Sequence, residues 1–254
     1  MKEKNKNSPK ILFIDIETSY CQGWFWRPGY KLSIDYNQVL KESAIICLCY
    51  KYNNSSKIEY LTWKKGDDKD LCLKFASILK DVDVVCGHNS DKFDIPWFRT
   101  RLLFHGAKNI PIIQSIDTLK ISRSKFKFNS NRLDYLGKFF GFGGKKDTGG
   151  IELWHKIIQN NDVSAMTKMV KYCKRDVLLL EKIYNKLEVF TAPKVHAGVL
   201  KGNNRCSCPG CGSNRTISDG NLITSLGIRK KKMNCKSCNR YFTINESVYL
   251  KNRK

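Results

Sequence analysis

The sequence predicts an α/β fold, a mixed sheet with helices on its faces, followed by a small cysteine-rich module. Three observations predict it. Residues 11–14, ILFI, are an apolar run of the kind found in a strand buried on both faces. Strand patterns come first and then alternate with helical ones, the order expected of a sheet flanked by helices. Five of the eleven cysteines crowd between Cys206 and Cys238. With 254 residues the chain has room for one medium domain and a small appendage, and we divide it into 1–190, a linker at 191–204, and 205–254.

KILFIDIET (10–18) is the first strand. A long aromatic-rich segment follows, then SAIICLCYKY (43–52) and KIEYLTW (57–63), two strands joined by an Asn-Asn-Ser-Ser turn. Leu71, Leu73, Phe75, Ala76, Ile78 and Leu79 recur at helical spacing over 70–81. DVVCGHN (83–89) is a short strand. Phe93 to His105 is helical, with Pro96 in the first turn where a missing amide hydrogen costs little. IPIIQSID (110–117) is another strand. The longest helix starts after the cap Asp162 and runs to about Phe190, with an inward stripe from Met169 to Leu187. Pro, Gly and Asn residues mark 191–204 as the linker.

Charge narrows the function. Lys and Arg number 46 against 23 Asp and Glu, a net +23, which calls for a polyanionic partner, nucleic acid first. The last 54 residues hold twelve Lys or Arg against Asp219 and Glu246, so +10 of the excess lies there. No run approaches the length of a membrane span, and the amino terminus has no apolar signal core, so we expect an intracellular protein without membrane partners. Cys21, Cys47, Cys49, Cys72, Cys86 and Cys173 are scattered among apolar neighbours and read as buried or semi-buried free thiols rather than disulfides.

In a chain so short of acids, their positions are informative. Asp15 and Glu17 end the first strand two residues apart, on one face. They are either a solvated pair or a pair held together by a cation. Asp94, in GHNSDKFDIP, opens a helix; it or Asp91 suits a capping role as well as a ligand role. Tyr172 and Asp176 share a helix face four residues apart, as a core-edge tyrosine and a surface aspartate also would. Asp117 reads as a helix cap.

Taken together, FIDIET (13–18), the Asn89, Phe93, Asp94, Pro96 pattern and Tyr172 with Asp176 resemble the DEDD exonuclease superfamily. The tyrosine four residues before the last aspartate resembles its DEDDy branch, which includes proofreading domains of family A and family B DNA polymerases. SNRLDYLGKFFG (130–141) and the TGG of 148–150 look like a stand-alone bacterial and phage group related to the family B domain. The resemblance spans about residues 11–188. It implies a ribonuclease-H-like fold and two Mg²⁺ or Mn²⁺ ions held by Asp15, Glu17, Asp94 and Asp176. Asp15 would bridge both ions, Glu17 and Asp176 would serve the one that activates water, and Asp94 would hold the second. Tyr172 would orient the attacking water. Oxygen ligands suit such hard cations. Thr18 and Asn89 would touch the terminal nucleotide, or hydrogen-bond within their own loops. Phe93 would wedge near the terminal base or join the core.

Trp24, Phe25, Trp26 and Tyr30, with Arg27 and Lys31 among them, suit stacking on single-stranded nucleic acid or packing of a long loop. Cys208, Cys211, Cys235 and Cys238 form two C-x2-C knuckles 23 residues apart, which suggests one structural Zn²⁺ in tetrahedral coordination. With CGSNRT and CNRYFT after the knuckles, the segment resembles a zinc ribbon. Cys206 is surplus. Arg229, Lys230, Lys231 and Lys232 precede the second knuckle as a candidate phosphate-binding surface.

The function these readings predict is 3′→5′ hydrolysis of DNA, single-stranded or at frayed ends, to nucleoside 5′-monophosphates. Alternatives are an RNA-directed or endonucleolytic nuclease of the same fold, and a catalytically silent nucleic-acid-binding protein. A replication or repair polymerase is a candidate partner.

Overall fold

The computed structural model describes residues 9–27, 29, 34–144 and 150–252. Its centre is a five-stranded mixed sheet. β1 (Ile11–Thr18) is followed by a small hairpin of β2 (Gln22–Gly23) and β3 (Val39–Lys41), then by β4 (Ile45–Tyr52) and β5 (Glu59–Thr62). α1 (Lys69–Ile78), β6 (Val84–Gly87), α2 (Asp94–Phe104), β7 (Ser115–Asp117) and α3 (Thr118–Lys125) alternate after them. α4 (Leu133–Phe139), α5 (Ile151–Asn160) and α6 (Val163–Leu187) complete this part. The strand order is β5-β4-β1-β6-β7. β1 is therefore central, as its apolar run requires, antiparallel to β4 and parallel to β6.

Each face of the sheet buries one core. Leu12, Ile14 and Ile16 of β1 pack with Leu48 of β4 and with Phe75, Phe98 and Leu102 of α1 and α2. Phe13 points the other way, with Cys47 and Cys49, onto the α6 stripe of Met169, Cys173, Val177, Leu180 and Ile183. α6 is capped as expected: the Asp162 side chain accepts from Ser164 N and Ala165 N, and helix gives way to a single 3₁₀ turn at Glu188–Phe190.

Three expectations shift. The strand expected over 110–117 is confined to Ser115–Asp117, because its one neighbour, the four-residue β6, pairs with it only through Val85, Cys86 and Gly87. Cys21 is exposed, whereas Cys47, Cys49, Cys72, Cys86 and Cys173 are buried thiols. Trp24, Phe25 and Trp26 do not pack their loop onto the domain; Trp26 is 99% exposed. Tyr30, Lys31 and Thr148 lie outside the described residues.

The C-terminal segment forms a second, three-stranded sheet in the order β10-β9-β8. It comprises α7 (Ala197–Leu200), β8 (Thr216–Ile223), β9 (Arg229–Cys235), β10 (Tyr241–Asn245) and α8 (Glu246–Lys251). α7 is tied to the first cysteine loop through Ala197 N donating to Pro209 O at 2.9 Å. Arg240, itself buried, fastens this sheet to the end of α6: Nη1 donates to Thr191 O and Nη2 to Glu188 O, at 2.5 and 2.8 Å. A cation on the last carbonyls of a helix also complements its dipole. Among the described residues no helix is long and apolar enough to cross a membrane.

Candidate active site and cysteine cluster

Strand parity sets the first two carboxylates. Asp15 pairs across the sheet with Cys49 and Glu17 with Cys47, so both acids lie on the α6 face, opposite Ile14 and Ile16. A register shift between Glu17 and Thr18 ends the regular ladder just beyond them. The Cys173 thiol donates to Asp15 O at 3.2 Å and fixes α6 against this end of β1. Three residues further along α6, about one turn, comes Asp176.

Asp94 arrives from the other side of the strand. β6 pairs with β1 only as far as Phe13 opposite Cys86, then ends at Gly87. The edge of β1 beyond that point faces the β6–α2 loop rather than a strand, and there Ile16 N donates to Asp94 Oδ1 at 3.2 Å. The Asp94 carboxylate thus occupies a missing rung of the ladder, beside the residue between Asp15 and Glu17. Two features make the loop tight enough. Asn89 takes a positive φ of 70°, and a Cβ on Gly87 would come within 2.3 Å of the Ser90 Cβ. Asp94 is 4% exposed. Burial, with the Asp117 charge adding to it, pushes its carboxyl up to about 7 against the pull of backbone N–H groups.

Asp91 is committed elsewhere: it accepts from Ser115 Oγ at 2.5 Å and pairs with Lys120 Nζ at 2.6 Å. Asp117 caps α3, accepting from Leu119 N, and also holds Asn89 N at 2.9 Å. Asn89 is therefore positioned through its backbone. Phe93, just before Asp94, is partly exposed and edge-on to Trp97, so it is not core. Thr18 O accepts from Trp154 Nε1 at 3.0 Å, and Thr18 lines a cavity of about 400 Å³ with Tyr20 and Trp154.

Tyr172 and Asp176 line one cleft of about 280 Å³ with Phe142, Gly143, Gly144 and Lys182. Asp176 is 3% exposed, not the surface aspartate a lone reading allows. Gly137 lets the Phe142–Gly144 loop close on α4, since a Cβ there would lie 2.5 Å from Gly143 O. Asp15, Glu17, Asp94 and Asp176 come from three distant chain segments; Asp176 shares its cleft with the Tyr172 phenol, whereas Asp15, Glu17 and Asp94 are not among the residues lining that cleft. Oxygen donors of this kind suit hard divalent cations, and two of the four, Asp94 and Asp176, are buried.

The cysteine cluster converges. The four Sγ atoms of Cys208, Cys211, Cys235 and Cys238 all lie within 4.8 Å of one another. Cys208 to Cys238 and Cys211 to Cys235 are each 3.6 Å apart, near the edge of about 3.8 Å that a tetrahedron with 2.3 Å Zn–S bonds requires. Burial opposes ionisation of Cys235, yet the N–H groups of Ser237 and Cys238 bring its thiol down to about 7. Cys206 is outside the group; its N–H donates to Asn204 Oδ1 and its carbonyl accepts from Thr216 Oγ1.

The basic run on β9 divides by strand parity. Lys231 is held within the module, 3.1 Å from Glu246 and 2.7 Å from Asn221 Oδ1, with its Nζ over the Tyr249 ring. Lys230 and Lys232 point to the opposite face, where Tyr241 and Leu222 are exposed, and Arg229 at the strand start is exposed too.

One buried network carries no mark in the local sequence. Asp68, fully buried, accepts from Arg101 Nε and Nη2 at 2.8 Å each, from His105 Nε2 at 2.6 Å and from Ile45 N at 2.9 Å. It ties the start of α1 to β4 and to the helix that begins with Asp94. Its partners are 23 to 37 residues away, so no local pattern marks it.

A family model for the RNase_H superfamily matches residues 39–188, leaving β1 with Asp15 and Glu17 outside the matched span. A search of curated proteins finds no match. Among solved structures, the family B DNA polymerase of the hyperthermophilic archaeon Pyrobaculum calidifontis is similar, with a TM-score of 0.55 and 20% identity. The likeness covers 72% of this chain and 25% of the polymerase, so the protein spans about a quarter of that length. At such identity the likeness speaks for the fold, and the mixed five-stranded sheet agrees with it. By its matched span and its sheet, the chain belongs to the RNase_H superfamily.

Proposed function

We propose that the protein is a metal-dependent 3′→5′ exonuclease of the DEDDy type, acting on DNA single strands or frayed ends. Superfamily membership supports a nuclease. The observation that carries the finer reading is the meeting of three segments at the end of β1: Asp94 on Ile16 N, and Cys173 of α6 on Asp15 O, one turn from Asp176. Asp15, Glu17, Asp94 and Asp176 would hold two Mg²⁺ or Mn²⁺ ions. Bound there, such ions activate water and neutralise charge building on the phosphate. Tyr172, on the cleft wall beside Asp176, orients the attacking water with its hydroxyl. Phe93 stacks on the terminal base, and Thr18 and Asn89 contact the terminal nucleotide. The similar polymerase points to DNA.

Residues 1–190 carry this site in our reading, and the linker at 191–204, whose Ala197–Leu200 helix packs on the first cysteine loop, joins it to a zinc ribbon at 205–254, with one Zn²⁺ on Cys208, Cys211, Cys235 and Cys238. Lys230, Lys232 and Arg229 would meet phosphates. Lys231 serves the ribbon's own packing. The exposed Trp24, Phe25 and Trp26 offer stacking faces to unpaired bases.

The test is digestion of 5′-labelled single-stranded DNA, duplex DNA and RNA with Mg²⁺ or Mn²⁺. A ladder shortening from the 3′ end is expected, lost with chelator and reduced about a thousandfold in Asp15→Ala, near 4 kcal/mol of barrier. Internal cuts would make the protein an endonuclease, faster loss of RNA would reassign its substrate, and no metal-dependent loss would make it a binding module.

A further inference from the structure

The cleft that holds Tyr172 and Asp176 does not end there. Its wall residues Arg175 and Leu178 also line a second groove, about 500 Å³, between the outer face of α6 and the edge strand β5. That groove in turn shares Thr62, Val163 and Met166 with a third, about 480 Å³, which reaches Lys64 and Lys65. The first and second cavities flank the outward crest of α6 and meet at Arg175 and Leu178, and the third continues the second past the start of the helix. Their cations are Lys182, Arg175, Lys174, Lys171 and Lys65, with Lys64 paired to Asp70. Among the described residues, the acid lining them beyond Asp176 is Asp162, already engaged in capping α6.

The floor differs from the rim. Met166, Val170 and Leu178 are apolar, and Tyr60 stands half exposed with Lys174 Nζ 4.2 Å from its ring centroid. An aromatic face and an apolar floor between rows of cations suit unpaired bases with their phosphates turned outward. An acid-poor rim suits a polyanion better than a peptide of ordinary composition. The stretch of α6 from Val163 to Asp176 is about 20 Å long at 1.5 Å per residue, the span of about six stacked nucleotides at 3.4 Å each.

We infer that this groove is the track for the single strand whose end lies in the candidate active site, with Lys171, Lys174 and Arg175 on its phosphates and Tyr60 under a base. The inference rests on the nuclease reading for the location of that end, but the track binds strand whether or not the protein cuts it.

The experiment therefore separates binding from cleavage. Binding of a fluorescent 20-nucleotide single strand is measured in chelator, from 50 to 200 mM salt, for the full chain and for Lys171→Gln/Lys174→Gln/Arg175→Gln. Removing three phosphate contacts should flatten the slope of log K against log salt by about 2 and weaken binding about a hundredfold at 0.1 M salt. Tyr60→Ala should weaken binding roughly tenfold with the salt slope retained, which a loss of charge does not produce. The triple variant should lose at least tenfold more affinity for the 20-mer than for a dinucleotide, a contrast that misfolding would not give. An unchanged slope, or equal losses on both lengths, overturns the track and leaves the groove to a peptide strand adding to the β5 edge. Failure of the wild type to hydrolyse any strand in Mg²⁺ or Mn²⁺ would instead overturn the nuclease reading while leaving these binding results standing.

Discussion

Replacing Asp68 by asparagine tests how the sheet is locked to the helix that presents Asp94. The substitution keeps shape but removes the charge opposite Arg101, a guanidinium that is itself buried. Four donors converge on this one carboxylate. Breaking a buried pair by removing one partner costs about 3 to 5 kcal/mol, because the remaining charge is left uncompensated. For a chain of this size, that is a fall in Tm of roughly 6 to 20 °C. Chemical denaturation at pH 7 should show the midpoint move with little change in slope. The loss should depend on pH with a definite sign. Burial opposes ionisation of Asp68, but Arg101, the Ile45 N–H and His105 hold its carboxyl below the usual range. Its contribution is therefore fully present above the unfolded value of about 3.9 and disappears as pH falls through the folded value. Wild type and variant should converge in stability in acid. A difference under 1 kcal/mol at pH 7, or one that persists unchanged in acid, would falsify this account. Arg101→Met combined with Asp68→Leu should recover part of the loss, since the buried cation goes with its partner.

Two further outcomes concern the C-terminal module. Zinc content near one per chain should survive Cys206→Ser and fall in Cys208→Ser, and chelation should unfold β8 to β10, because structural zinc contributes on the order of 10 to 16 kcal/mol to such modules; loss of zinc in both variants alike would reassign the fourth ligand. Arg240→Ala removes two charged hydrogen bonds to Glu188 O and Thr191 O, about 3 kcal/mol together, near a hundredfold in the opening equilibrium. Limited proteolysis between residues 191 and 196 should accelerate accordingly, and an unchanged cleavage rate would remove Arg240 as the fastening.

How much of this was legible in the sequence depended on the range of the interaction. Asp15 and Glu17 could be placed on one face because a strand's period of two is local, and Asp162 and Asp117 could be read as caps for the same reason. The long helix declared itself by its stripe. Local context leaves Asp91 open beside Asp94, and what engages Asp91 is remote: Lys120 and Ser115, 24 to 29 residues on. The fate of Lys231 was hidden because parity alone does not reveal which face α8 covers. The exposure of Trp24 to Trp26 could not be read from composition, since an aromatic-rich segment is written alike whether it packs or projects.

The rung that Asp94 fills has a consequence for how this site tolerates change. Its fastening point on β1 is a main-chain N–H, present in every amino acid but proline. Position 16 is thus bound by two unrelated demands: its side chain answers only to the core on the α1 and α2 face, and its amide answers only to the carboxylate. Valine or leucine can replace isoleucine there and leave the carboxylate's anchor untouched, whereas proline would remove the anchor while being perfectly apolar. Spatial precision at this point is stored in the backbone, where a comparison of side chains does not see it.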